Sequence, residues 1–508
     1  MRHVTQRVYL GLLVAALLGA GRPARAHAQE LPQDLKLKLD RWYRSARRSA
    51  NGTWGIAVAD QTGQILWSVN PDRELIPAST VKLLTTGYAR SVVGGEARRT
   101  TRVVGFGSLD DATGDWNGKW ALELNGDPTL ESPDGRGPRL ADLALQLYEK
   151  GVRRLHGPLT VVTADGQPAE ASFPDVWRAG NRGSIYAPLI GSLTLHENLI
   201  MLYVQPGQRP GARPRLISTS PDGLDALVNV HATTASGRRS ALRIRRMADG
   251  GYLVTGSVGV NAGTRRLVST ASDTKAVLAA AWARALQQQG IEWDRTPPEI
   301  TVENEPTDVL AEIESAPFDS VALEINRRSL NIGAELLLRW AAGKTGGPEL
   351  LTEHVQQVAG VAGGVKLVDG SGMSHEDRVT PATFISYMAH VQSTPAGKNF
   401  PYLLPANGQG TLARLASGLP DLGVVRAKTG TLSGVSTLVG YLGRRDGMFL
   451  VSLMYNGPRS KSAKRHQWQV FRLLGAEGVT IPADDSSDTG EEPEEAPEAP
   501  MGGDPVGN

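Results

Sequence analysis

The chain has 508 residues, sets 54 lysines and arginines against 52 aspartates and glutamates, and contains no cysteine. That length allows two or three domains with a sizeable core, and the missing cysteines exclude disulfides and thiolate metal centres. The net charge of +2 is concentrated nowhere, which excludes a dedicated nucleic-acid groove.

The chain opens with Arg2 and Arg7, an apolar run over 8–20 and the triplet Ala26-His27-Ala28, the pattern of a secretory signal peptide spanning 1–28. The run is too short to anchor in a bilayer, and no later stretch is apolar for long enough. The expectation is a protein exported across the cytoplasmic membrane, periplasmic or associated with the cell wall, whose mild positive balance suits peripheral association with an anionic surface.

A helix is predicted over 31–50. Alternating runs over 54–59 and 64–69 flank Asp60-Gln61-Thr62-Gly63, a hairpin signal. The hairpin leads into Ile76-Pro77-Ala78-Ser79-Thr80-Val81-Lys82-Leu83-Leu84. Helical spacing stacks Ser79 and Lys82 on one face, where an amine can take a hydroxyl proton. Val81, Leu83 and Leu84 bury the other faces, and Pro77 sits where a helix start tolerates it. The same spacing recurs in Ser272-Asp273-Thr274-Lys275 ahead of an apolar helix, with Ser272 or Asp273 as its N-cap. Spacing alone does not choose between the two copies.

From about 100 the texture becomes short strands between Gly/Pro-rich turns, for example 159–163, 199–204 and 252–255, with helices over 140–150 and 274–288. This reads as inserted material over 99–310 with small cores of its own. Helical texture returns at 309–314 and 331–342, the latter closed by Gly343. Alternating runs over 435–442 and 448–455 flank a second hairpin signal, Arg444-Arg445-Asp446-Gly447, and a helix over 463–474 follows. Both ends therefore contribute to one α+β body, 29–98 with 311–482. The acidic, Pro/Gly-rich stretch 483–508 is expected to be disordered.

Two further motifs stand downstream of Ser79. Ser329-Leu330-Asn331 lies just before a helix, and Lys428-Thr429-Gly430-Thr431 follows the apolar run 422–425. Ser-X-X-Lys, Ser-X-Asn and Lys-Thr-Gly together mark penicillin-interacting serine enzymes. Ser68-Val69-Asn70 and Lys344-Thr345-Gly346 are competing copies. The chemistry needs a lysine and a hydroxyl on an edge strand, with a glycine admitting substrate backbone. Lys428 has that context, whereas Lys344 follows a helix end.

Four more stretches, NGDPTL (125–130), YAPLIGSLTLHEN (186–198), DGSGMS (369–374) and LPANGQGTLARL (404–415), resemble those of the D-alanyl-D-alanine carboxypeptidases/endopeptidases of the penicillin-binding protein 4 type. The resemblance runs from about Trp54 to Leu474. It implies a transpeptidase/β-lactamase-like domain, an antiparallel sheet flanked by helices, carrying a large inserted β-rich region of one or two domains. Two positions depart from the family pattern: Asp377 stands where Asn is usual, and Leu330 replaces a commoner polar residue.

By that resemblance Ser79 attacks the carbonyl of a terminal D-Ala-D-Ala bond and Lys82 is its base, its pKa depressed by desolvation and by the neighbouring cation of Lys428. Ser329 passes the proton to the leaving amine, and Asn331 orients Lys82 and the substrate. The N–H groups of Ser79 and Thr431 form the oxyanion hole, while Lys428, Thr429, Gly430 and Thr431 receive the terminal carboxylate. Peptidoglycan stem peptides, and in endopeptidase action D-Ala-meso-diaminopimelate crosslinks, are the implied substrates. β-Lactams are the implied covalent inhibitors, and no cofactor, metal or nucleic acid is called for. Glu335 reads equally as a surface charge or a site residue, and Asp369 equally as a turn residue. His196-Glu197 lacks the second histidine of a zinc helix motif. A β-lactamase and a non-catalytic envelope scaffold are the alternatives. The first needs a deacylating base that the sequence does not offer, and the second is weakened by the full set of motif residues.

Overall fold

A computed structural model describes residues 30–296, 308–343, 346–394, 397–415 and 417–483. The segment expected to be an export signal, Lys344-Thr345 and the acidic stretch from Asp484 lie outside the described residues. The helices, in chain order, are α1 Gln33–Ser49, α2 Val81–Val93, α3 Leu140–Glu149, α4 Thr274–Gln288, α5 Phe318–Arg328, α6 Asn331–Ala342, α7 Pro348–Ala359, α8 Pro381–Ser393 and α9 Ser460–Gly475. Among the described residues no helix is long and apolar enough to cross a membrane.

Both ends of the chain build one five-stranded antiparallel sheet, in the order Val425–Leu432, Val435–Arg444, Gly447–Asn456, Thr53–Asp60, Ile65–Val69. Thr53–Asp60 pairs along its full length with Gly447–Asn456, which closes the body across the whole sequence. Its central strands are buried on both faces because helices cover both. Ile56, Val58 and Leu453 pack with Leu39 and Ala46 of α1 and Val470 and Phe471 of α9. Ala57, Ala59 and Met454 pack with Leu83 and Leu84 of α2 and Phe384 and Met388 of α8. Each large apolar side chain so buried contributes about 1.5–3 kcal/mol. Two faces of such contacts make the sheet the rigid base of α2.

The stretch between α2 and α5 forms a six-stranded sheet containing Thr100–Leu109, Asp115–Glu123 and Asp308–Glu314, together with two three-stranded sheets, and these share one apolar core. The helical expectation for 309–314 fails here. Asp308–Glu314 is a strand antiparallel to Thr100–Leu109, with a bulge between Val309 and Ala311. The bulge buries the adjacent Leu310 and Ala311 as well as Ile313, replacing strict alternation with a spacing that resembles a helix. The strand expected over 159–163 shrinks to Val161–Val162. Three helices went unrecognised: α5, α7 and α8. Of these α5 matters most, because it ends at Ser329 in the left-handed conformation.

Candidate active site

Ser79 sits in a 3-10 turn, Ala78–Thr80, that feeds α2. The turn is pinned by its neighbours. Thr80 Oγ1 and Thr437 Oγ1 both donate to Pro77 O at 2.7 Å, and Asn456 Oδ1 accepts from Ile76 N at 2.8 Å. Ala78 adopts φ +50°, a left-handed conformation costing an L-residue about 1–2 kcal/mol. Two glycines let other segments close on the turn. A Cβ at Gly430 would lie 2.1 Å from Thr437 Oγ1 and 3.0 Å from Ser79 N, and one at Gly372 (φ +75°) would lie 2.0 Å from Ala78 O. The Lys-Thr-Gly and DGSG segments thus pack directly against the serine's backbone.

Lys82 is fully buried. Its Nζ lies 3.1 Å from Ser79 Oγ, 2.6 Å from Asn331 Oδ1 and 2.6 Å from Ser371 O. A neutral amine has two hydrogens and one lone pair, so two carbonyl oxygens take the hydrogens and the lone pair is left for the Ser79 hydroxyl. Burial lowers the Lys82 pKa from 10.5 to about 7, against the pull of Asp369, Glu335 and Asp377. Of the two agents expected, desolvation and the Lys428 cation, desolvation is the one that acts on Lys82. Lys428 is itself driven well below the usual lysine range, by burial and then by Lys82.

Ser329 caps α5 at φ 59° and ψ 43°, which turns its hydroxyl toward Lys428, whose Nζ donates to Ser329 Oγ at 2.9 Å and to Thr429 O at 2.9 Å. Val425–Leu432 is an edge strand; Thr429 is buried and Thr431 exposed along it. The sequence-predicted set Ser79, Lys82, Ser329, Asn331, Lys428, Thr429, Gly430 and Thr431 therefore lies on the turn before α2, α2, the α5–α6 junction and one edge strand.

Several neighbours were not read as site residues. Asn331 Nδ2 donates to Tyr186 O at 2.7 Å, and Trp177 Nε1 donates to Asp369 at 3.2 Å. Glu197 pairs with Arg328, next to Ser329, at 2.6 Å. Tyr186 and Glu197 lie within the YAPLIGSLTLHEN stretch, the one sequence signal that could have flagged them. Glu335, left open between surface charge and site residue, and Asp369, left open between turn and site residue, are buried beside Lys82, as is Asp377.

The competing copies at Ser272 and at Ser68-Val69-Asn70 fall apart structurally. Asp273, not Ser272, caps α4 by accepting from Ala276 N at 2.9 Å, Ser272 Oγ points to Gly250 O at 3.4 Å, and Lys275 is exposed. Asn70 Nδ2 is spent on Trp54 O inside the hairpin. His196 is held by Leu199 O and Ser220 Oγ at 3.0 and 2.7 Å. The described residues contain no group of three or more side chains arranged to hold a metal ion.

A serine and a desolvated lysine on a helix under an antiparallel sheet, with Ser-X-Asn and Lys-Thr-Gly beside them, define a penicillin-recognising serine peptidase. The model of the D-Ala-D-Ala carboxypeptidase 3 (S13) family matches residues 38–475, and the chain belongs to that family. It is similar to the D-alanyl-D-alanine carboxypeptidase of Actinomadura sp. (strain R39), 28% identical over 498 residues that cover 90% of this chain and 87% of that protein. Penicillin binding protein 4 (dacB) from Haemophilus influenzae has the same fold, with a TM-score of 0.68 at 21% identity over 85% of this chain and 98% of that one. The same protein complexed with a β-lactam gives a TM-score of 0.64 at 20% identity, covering 85% and 99%.

Proposed function

We propose that the protein hydrolyses the terminal D-alanyl-D-alanine bond of peptidoglycan stem peptides from the outer side of the cytoplasmic membrane, and cuts D-Ala-meso-diaminopimelate crosslinks at the same serine. The observation that carries this reading is the Lys82 environment, in which two carbonyl oxygens occupy the amine hydrogens and leave its lone pair to Ser79. Ser79 Oγ forms a bond to the penultimate D-Ala carbonyl carbon while Lys82 takes its proton. The C–N bond then breaks, and the proton reaches the departing amine through Ser329. Water reverses the sequence and releases the shortened peptide. Backbone N–H groups of Ser79 and Thr431 would receive the oxyanion, usually the largest single contribution. Lys428, Thr429 and Thr431 would hold the terminal carboxylate.

β-Lactams acylate Ser79 in this reading, in keeping with the β-lactam complex of the H. influenzae relative. The assignment of 29–98 and 311–482 to catalysis and of 99–310 to an insert belongs to the same proposal. Digestion of purified muropeptides tests it. The expected products have lost one D-alanine, together with monomers released from dimers, and Ser79→Ala should give neither. Unchanged muropeptides after prolonged digestion by active, penicillin-labelled enzyme would overturn the substrate assignment.

A further inference from the structure

Three carboxyl groups lie buried around Lys82, and the mechanism above uses none of them directly. Their hydrogen bonds are unequal. Asp369 accepts four N–H donors: Ser371 N at 3.2 Å, Gly372 N at 2.6 Å, Ser374 N at 2.7 Å and Trp177 Nε1 at 3.2 Å. Glu335 accepts from Gly370 N at 3.1 and 3.2 Å. Asp377 is 0% exposed and accepts only from Val368 N, at 2.8 Å on Oδ1, while Oδ2 has no donor among the described residues. The Asp377 and Asp369 carboxyls nonetheless stand against one another, within reach of a shared proton.

Two carboxylates in contact away from water cannot both be charged, and a bond between them requires a proton. Four N–H donors favour the anion at Asp369. One donor and a bare oxygen leave Asp377 as the acid, because protonation turns an unmatched acceptor into a matched donor. We propose that Asp377 is a positioning residue held as the neutral carboxylic acid, donating its proton to Asp369 and thereby fixing the 369–374 loop whose Ser371 carbonyl holds Lys82.

The charged groups facing the pair are Lys82 from α2 and Glu335 from α6. Arg378, beside Asp377 in the chain, spends its Nη1 on the backbone carbonyls of His375 and Asp377 at 2.7 Å each. Burial and then the Asp369 charge hold the Asp377 carboxyl well above the usual carboxylate range, in agreement with the hydrogen-bond count. A neutral Asp377 also leaves fewer anions beside Lys82, which keeps its amine available as a base. That last step rests on the Ser79–Lys82 reading.

Two measurements test the proposal. Infrared difference spectra of wild type against Asp377→Asn at neutral pH report the proton itself. The carbonyl stretch of a protonated carboxylic acid should be present in wild type and lost in the variant, and its absence from the difference overturns the proposal. This readout does not depend on Ser79 being the nucleophile, so it fails separately from the functional reading. Acylation by fluorescent penicillin, followed from about pH 5 to about pH 9, reports the positioning. Asp377→Ala should slow acylation by at least about tenfold through loss of loop geometry. Asp377→Asn, which keeps a neutral donor to Asp369, should restore most of that loss and leave the acid limb within about 0.3 pH unit of wild type. If Asp377 is instead an anion, Asn removes a charge that supports Lys82 as a cation, and the limb moves down by about one unit. Such a shift, or an Asn variant as slow as Ala, overturns the proposal.

Discussion

The state of Lys82 sets a pH dependence that can be worked out from its surroundings. An ordinary lysine with a pKa of 10.5 is neutral in about one molecule in three thousand at pH 7, whereas Lys82, lowered to about 7, is neutral in about half, a gain of about three orders of magnitude in free base. The acylation rate constant should therefore rise about tenfold per pH unit below about pH 7, level off above it, and stand near about 1% of its plateau at pH 5. The assay is quenched-flow labelling by fluorescent penicillin at constant ionic strength, with melting curves recorded at each pH to separate titration from unfolding. The sign in stability is fixed as well. Between about 7 and 10.5 the unfolded chain binds the proton that folded Lys82 gives up, so the Lys82 contribution to stability increases with pH across that window. A rate flat across the whole range, or an acid limb near the ordinary lysine value, would refute the neutral-amine mechanism.

Further outcomes follow from the same geometry. Fluorescent penicillin should label wild type and Ser272→Ala but not Ser79→Ala, with peptide mapping placing the adduct on Ser79. Asp273→Ala should cost about 1 kcal/mol of stability as a lost N-cap and leave labelling intact, measured by urea denaturation. Lys428→Ala should slow penicillin acylation on the order of a hundredfold, through loss of its bond to Ser329 and of the carboxylate site, while Lys344→Ala should match wild type; equal effects would mean that the wrong Lys-Thr-Gly carries the chemistry. Removing 484–508 should leave both melting temperature and acylation rate unchanged, and a large loss in either would show that the acidic tail docks on the body.

The part of the site that was legible in the sequence is the part written in local spacing. Ser79 and Lys82 share a helical face whatever the rest of the chain does, and the alternation around Lys428 marks a strand. The buried carboxylates were not legible, because burial is a tertiary property: Glu335 looks like any helix-surface glutamate until α6 is seen packed on α2. Ser272 showed the opposite error, since two adjacent capping residues precede α4 and only the structure shows that Asp273 does the capping. At 309–314 a bulge disguised a strand. The helices α5, α7 and α8 lie between loops whose polar texture masked them, although Phe318, Val321, Ala322 and Ile325 carry the helical spacing in plain form.

On the proposed division of the chain into a catalytic body and an insert, the inserted stretch does more than decorate the body. Asn331 must present its carbonyl oxygen to Lys82, because the reverse orientation would set an NH2 group against the amine. The Tyr186 carbonyl settles the choice by accepting from Nδ2 at 2.7 Å. Without that acceptor a buried donor would be stranded at a cost of about 1–3 kcal/mol, and the amide would be free to turn. Trp177 adds a fourth N–H donor to Asp369. Glu197, itself buried, ties Arg328 to the insert and so braces the neighbouring Ser329 in its left-handed conformation. One stretch, 177–197, thus reaches three separate elements of the site and braces an amide, a carboxyl group and a backbone angle. A catalytic body deprived of this stretch would keep the Ser79–Lys82 spacing but lose the groups that orient Asn331, Asp369 and Ser329 around it.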